Sequence, residues 1–147
     1  MHIRAFGEAD RAQVVSLWER CGLIVPWNDP HADIDRKLQV QPELFLVGEI
    51  DGSVVATAMG GYDGHRGWVF YLAVEPAHRR RGLGREIMER LEGLLRERGC
   101  PKINLEVRRS NLDVVRFYER IGYRDNDVVG LGKRLVEDRP NGAGEGD

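Results

Sequence analysis

The sequence has little that would tie it to a metal, a polyanion or a lipid bilayer. Cysteine is scarce: Cys21 and Cys100 are the two thiols in 147 residues. Neither sits at the paired spacing of a zinc site or a disulfide framework, which predicts two buried, reduced thiols. His2, His31, His65 and His78 lack the helical pairing common among metal-binding histidines, so no metal is expected. A charge surplus is missing too, with 22 Lys and Arg against 24 Asp and Glu and a formal net charge of -2. Nucleic acid and anionic membrane are therefore not expected partners, and any site for an anion must be local. No apolar run approaches the length that spans a bilayer, and Met1-His2-Ile3-Arg4 leads straight into folded-looking sequence. These features predict a soluble, cytoplasmic protein.

What is present is globular composition. Hydrophobic residues make up 41% and charged residues 31%, enough for one domain with its own core. His2 to Phe6 reads as a strand. Glu8 to Cys21 reads as a helix with Val14, Leu17, Trp18 and Cys21 on one stripe, ended by Gly22. Asp29-Pro30, an N-cap followed by proline at the first helical position, opens a second helix that stops before Pro42. Leu44 to Ile50 and Ser53 to Gly61 form a hairpin about Asp51-Gly52. After the polar loop Tyr62 to Gly67, Trp68 to Val74 supplies another antiparallel strand. A helix to about Arg98 follows, its apolar face built from Ile87, Met88, Leu91, Leu94 and Leu95 and its end capped by Gly99. Lys102 to Val107 is the next strand, Asn111 to Arg120 a short helix closed by Gly122, and Val128 to Val136 a final strand. The fold class is α/β or α+β: one mixed, mostly antiparallel sheet flanked by helices, occupying residues 1–138. The polar, glycine-rich residues 139–147 are expected to be a flexible tail.

The chemistry concentrates where the strand ending at Val74 meets the next helix, in Arg79-Arg80-Arg81-Gly82-Leu83-Gly84. A glycine turn opening a helix offers backbone N–H groups at the positive end of the helix dipole, a cradle for phosphate. A Walker phosphate loop is excluded because Arg85-Glu86 stands where Lys and Ser or Thr are needed. A dinucleotide fingerprint is excluded because Ile87 occupies the position of its third small residue and the run follows a late strand. The run matches in full the coenzyme A motif of the GNAT acetyltransferases: Arg or Gln, two residues, Gly, one residue, then Gly or Ala.

The order of elements from residue 1 to about 136 resembles the GNAT fold. Within that family the chain resembles the small bacterial YpeA-type acetyltransferases, through Pro26-Trp27-Asn28-Asp29-Pro30, Gly60 to Gly67 and Leu131-Gly132-Lys133-Arg134-Leu135. The resemblance implies an N-acetyltransferase with acetyl-CoA as cosubstrate and a primary amine as acceptor, acting by direct attack without an acyl-enzyme. It implies that the backbone of Leu72, Ala73 and Val74 pairs with the pantetheine arm, and that Arg79, Arg80, Arg81, Gly82, Leu83 and Gly84 hold the pyrophosphate. Asn111, read as a helix cap, would also contact the cofactor. Tyr118 would hydrogen-bond the coenzyme A sulfur as general acid, and Glu106 matches a carboxylate that serves as base in ribosomal-protein N-terminal acetyltransferases. Glu106 equally reads as a solvent-facing position on its strand, with Asp63 or His65 acting through water instead. The acceptor would meet Trp27, Asn28, Asp29, Asp63 and His65. A catalytically idle coenzyme A binding or regulatory module is the competing reading, and both a monomer and a homodimer are compatible with the sequence.

Overall fold

The computed structural model describes residues 1–138, so the expected tail lies outside the described residues. The chain divides into two units, one comprising residues 1–104 with Asp138 and the other Leu105–Glu137.

The first unit is built on a five-stranded sheet in sequential order. β1 (His2–Ala5), β2 (Phe45–Ile50), β3 (Ser53–Tyr62) and β4 (Gly67–Val74) pair antiparallel, and β5 (Ile103–Asn104) joins β4 in parallel. The β2–β3 turn takes the form its sequence demands: Asp51 and Gly52 have φ of 52° and 79°, the paired positive angles of a type I′ hairpin. α1 (Arg11–Arg20) and α2 (Pro30–Lys37) contribute Val14, Leu17, Trp18 and Ile34 to a core shared with Phe45, Val47 and Met59. α3 (Leu83–Glu97) buries Ile87, Met88, Leu91 and Leu95. It packs so closely that a Cβ on Gly60 would lie 2.5 Å from Leu91 Cδ1. That glycine is what lets helix meet strand.

The expected helix from Glu8 instead opens as a 3-10 turn, Glu8–Asp10, with Gly7 N–H donating to the Asp10 carboxylate at 2.8 Å. Asp29 caps α2 as its sequence predicts, accepting from His31 N at 2.9 Å and Ala32 N at 3.4 Å.

The second unit holds α4 (Leu112–Arg120), with Tyr118 buried and Val114 and Phe117 half-buried along its apolar stripe. Two expectations are corrected here. The strand expected over Lys102–Val107 is confined to β5, and the strand expected over Val128–Val136 does not form among the described residues. A strand exists only where a neighbour completes its ladder, and the segment 128–136 has none within its unit. No helix of the described residues is long and apolar enough to cross a membrane.

Candidate active site

In the first unit, β4 is paired along its length with β3 but meets β5 only at Gly67↔Ile103 and Trp68↔Asn104. From Val69 onward its second edge has no strand beside it among the described residues. The ladder on the β3 side is also irregular. Met59 faces Phe70 and Thr57 faces Ala73, so Tyr71 and Leu72 both stand opposite Ala58 in a β-bulge. Tyr71 has φ of 52°, the left-handed region that a bulky side chain enters at a cost of about 1–3 kcal/mol.

The surroundings hold it there. Its ring stacks on Trp18 with centroids 3.7 Å apart and planes 13° from parallel. Its carbonyl accepts from Thr57 Oγ1 at 2.8 Å, and that hydroxyl accepts from Trp18 Nε1 at 2.9 Å. The Tyr71 hydroxyl donates to Asp33 Oδ2 at 2.5 Å. Burial, with the Asp33 carboxylate beside it, pushes the phenol far above its ordinary pKa. A bulge leaves one residue out of the ladder, and with the Tyr71 carbonyl taken by Thr57 it is an N–H of the bulge that can serve a ligand.

Beyond the bulge, Leu72 and Val74 are half-buried and Ala73 is buried. Glu75 N donates to Val55 O at 2.7 Å, which makes Ala56↔Val74 a non-hydrogen-bonded pair and turns the Val74 amide and carbonyl toward the open edge. Two side chains reach that carbonyl: Cys21 Sγ donates at 3.3 Å and Arg79 Nε at 3.4 Å. A 3-10 turn, Pro76–His78, then carries the chain into the arginine and glycine run. Arg79, Arg80 and Arg81 are exposed. Arg80 and Gly82 have φ of 67° and 79°, left-handed backbone on either side of Arg81, and α3 begins at Leu83. Nothing lies within 4 Å of the position a Gly82 Cβ would take. The turn, the open helix start and the three guanidinium groups suit a pyrophosphate, and the free edge of β4 suits an amide-bearing arm. The residues present thus fit coenzyme A.

The expected acceptor residues lie in two loops of the same unit. Trp27 is 53% exposed, and Asn28 and Asp29 are half-buried. Asp29 belongs to a network that the sequence did not announce. Its amide donates to Asp138 Oδ2 at 3.1 Å, Arg36 Nη2 donates to Asp138 Oδ1 at 2.6 Å, and Arg36 Nη1 pairs with Asp33 Oδ1 at 3.2 Å. Asp63 organises its own loop: Oδ1 accepts from His65 N at 2.8 Å and Arg66 N at 2.7 Å, and Oδ2 from Trp68 Nε1 at 3.3 Å. Those backbone donors hold its carboxyl below the usual range, which makes it a poorer proton acceptor. His65 is exposed in that loop.

In the second unit, Tyr118 is 8% exposed and lies edge-on to Phe117 and Tyr123. Burial alone pushes its phenol up, so it stays protonated well beyond neutral pH. Glu106 is exposed, with its carboxylate against Gly130. Asn111 occupies the N-cap position of α4, but its side chain makes no capping hydrogen bond, a correction to its reading as a cap.

The model of the acetyltransferase (GNAT) family matches residues 11–123. The chain belongs to that family. An acetyltransferase from Pectobacterium atrosepticum is 52% identical over 139 residues, covering 95% of this chain and 99% of the relative. Among solved structures, the ribosomal-protein-S18-alanine N-acetyltransferase of Escherichia coli superposes with a TM-score of 0.68 at 25% identity, covering 82% of this chain and 76% of its own. An aminoglycoside N-acetyltransferase in complex with coenzyme A reaches a TM-score of 0.72 at 14% identity, covering 92% and 100% of the two chains, and so shares the fold. For a GNAT chain, the sequence had pointed to the arginine and glycine turn and missed the Tyr71 bulge with its Trp18 and Thr57 supports. The one available sign was Thr57, a polar residue inside the apolar run Val54-Val55-Ala56-Thr57-Ala58-Met59.

Proposed function

We propose that this GNAT chain is an N-acetyltransferase that moves acetyl from acetyl-coenzyme A to a primary amine by direct attack in a ternary complex. The observation that carries the reading is β4: a bulged strand with an open edge that runs directly into a phosphate-shaped turn. Acetyl-coenzyme A supplies the activated acyl thioester and a thiol leaving group. The outward amide of Val74, with Leu72 and Ala73 lining the edge beside it, holds its arm, and the turn from Arg79 to Gly84 holds its phosphates, with Asn111 as a further contact.

The acceptor amine enters between Trp27, Asn28 and Asp29 and the loop bearing Asp63 and His65, where an indole and carboxylates favour a cation. The bound cation releases one proton to solvent to expose its lone pair, and Glu106 takes the second proton that the nitrogen sheds as that lone pair forms the new C–N bond. An N–H freed by the Tyr71 bulge donates a hydrogen bond to the carbonyl oxygen as charge gathers there, the interaction that usually contributes most to acyl transfer. Tyr118 donates a hydrogen bond, and finally its proton, to the sulfur as the C–S bond breaks. A phenol near 10 facing a thiol near 8.5 is already an uphill donor, and burial of Tyr118 raises it further. The transfer is therefore late, and strong hydrogen bonding does most of the work.

The matches at Pro26–Pro30, Gly60–Gly67 and Leu131–Leu135 support the YpeA-type subgroup, and the thiols Cys21 and Cys100, both free, suit the cytoplasm. The reading is tested by thiol release with a panel of peptides, polyamines and aminoglycosides. Tyr118→Phe should lower turnover about 100-fold or more while leaving acetyl-coenzyme A affinity nearly unchanged. An unchanged rate sinks the acid assignment. Tight cofactor binding with no turnover on any amine would favour the idle coenzyme A module instead. Thermal stabilisation by ATP or NAD but not coenzyme A would overturn the cofactor.

A further inference from the structure

Lys37 stands half-buried in the last turn of α2. Its Nζ lies 3.5 Å from the position a Gly61 Cβ would take, which places the ammonium against the α2 face of the sheet. Every nearby group that could answer its charge is committed elsewhere. Asp33, one helical turn back and so its natural partner, gives Oδ2 to the Tyr71 hydroxyl and Oδ1 to Arg36. Glu43 pairs with Arg98 at 2.9 Å, and Gln41 Oε1 accepts from Tyr62 N at 2.8 Å. Lys37 therefore makes no ion pair among the described residues. Burial lowers its pKa, with Glu43 and Arg98 as the charges that act on it. An ammonium half-withdrawn from water without a counterion is costly to keep charged, and an anion beside it removes that cost.

The same face of the sheet is aromatic and open. Residues opposite each other in a ladder share a face, so Trp68, across from Gly61, and Phe70, across from Met59, lie on the side of Lys37. Trp68 is half-buried and Phe70 is 51% exposed. Directly after Phe70 comes the bulged Tyr71, with its hydroxyl on Asp33. A carboxylate and an ammonium thus stand on α2 with Cβ atoms about 6 Å apart, beside an aromatic floor that ends at the bulge. We propose that the acetyl acceptor is a free amino acid with an apolar side chain, its amine held by Asp33, its carboxylate by Lys37 and its side chain over Phe70 and Trp68. This assignment rests on the N-acetyltransferase reading and names its substrate class. The charges of the zwitterion complement those of α2, and the amine arrives at the strand edge where the acetyl group is held. A peptide N-terminus has a neutral amide where the carboxylate would be, and leaves Lys37 unanswered.

The test is thiol release with L-phenylalanine and L-phenylalaninamide as matched acceptors, together with calorimetric titration of L-phenylalanine into the protein with coenzyme A present. The wild type should prefer L-phenylalanine at least about tenfold in kcat/KM, the effect of one charge-assisted hydrogen bond. Lys37→Met, of similar length, should bring that ratio near one, chiefly through the acceptor KM, and Lys37→Arg should restore most of it. The ratio is read within one protein, so a loss of folding lowers both rates alike and leaves it unchanged. Equal use of the two acceptors, turnover of peptides or polyamines alone, or a preference that survives Lys37→Met overturns the proposal and leaves the acetyltransferase reading intact. Turnover of no amine, with L-phenylalanine bound by the wild type and released by Lys37→Met, removes that reading and keeps the amino-acid site. Neither turnover nor binding of L-phenylalanine overturns the site itself.

Discussion

The two units hold their apolar residues differently. In the first, Leu17, Trp18, Ile34, Leu44, Phe45, Ile87, Met88 and Leu91 are all fully shielded, and the sheet and its helices account for each of them. In Leu105–Glu137, Tyr118 is the one hydrophobic side chain buried below a tenth of its surface, while Leu112, Val128, Val129, Leu131, Leu135 and Val136 stand exposed. A unit with a saturated core can carry local strain, because its neighbours over-determine the strained residue. The bulge at Tyr71 sits in such a place. A unit with one buried aromatic depends on that residue, and here it is also the proposed acid.

The sharpest way to break the contrast is to release the strained residue from its core. Thr57→Val keeps the shape of a fully buried side chain but deprives Trp18 Nε1 of its acceptor and the Tyr71 carbonyl of its donor. Two buried polar groups left unpaired cost about 2–4 kcal/mol, measured by urea unfolding. Turnover should fall along with stability, because Tyr71 is then free to leave the left-handed region. Thr57→Ser, which keeps the hydroxyl, should recover most of both. Stability lost with turnover unchanged would separate the bulge from the chemistry.

A second test uses pH, since each unit contains one tyrosine with a raised pKa, Tyr71 through burial and Asp33, and Tyr118 through burial alone. A raised value in the folded state means that the native protein keeps a proton the unfolded chain has lost. The stability is therefore fully present below the unfolded phenol value of about 10 and is lost as pH rises past it. The urea midpoint should decline on that alkaline side. Tyr118→Phe should shallow the decline, and Asp33→Asn should shallow it through Tyr71. A slope unchanged by Tyr118→Phe would mean that its phenol titrates as if exposed.

The same contrast explains what the sequence could and could not tell. Where one residue's local chemistry decides, the reading is direct: Asp51-Gly52 takes the two positive φ angles its turn requires, Asp29-Pro30 opens a helix, and Ile87, Met88, Leu91 and Leu95 line one buried face. The arginine and glycine run belongs here too, since it specifies a backbone path by itself. The bulge does not. Trp68 to Val74 reads as an unbroken apolar strand, and nothing about a tyrosine announces a left-handed conformation imposed by Trp18, Thr57 and Asp33 from other elements. Val128 to Val136 fails for the complementary reason. Its alternation records a tendency to pair, and a sequence does not say whether a partner edge is within reach.

The smallest expected effect concerns the two helix caps, Asp29 in the first unit and Asn111 in the second. Both stand at N-cap positions and both belong to the residue types favoured there. Asp29 satisfies two amides of α2, so Asp29→Ala should cost about 1 kcal/mol of stability. Asn111 satisfies none in α4, so Asn111→Ala should change stability by less than about 0.5 kcal/mol. A side chain of a capping type that forgoes its cap has polar atoms to spare for a ligand. Asn111→Ala should therefore act on acetyl-coenzyme A affinity, by calorimetric titration, in preference to the unfolding midpoint. The reverse result, a lower midpoint with unchanged affinity, would return Asn111 to the role of an ordinary cap.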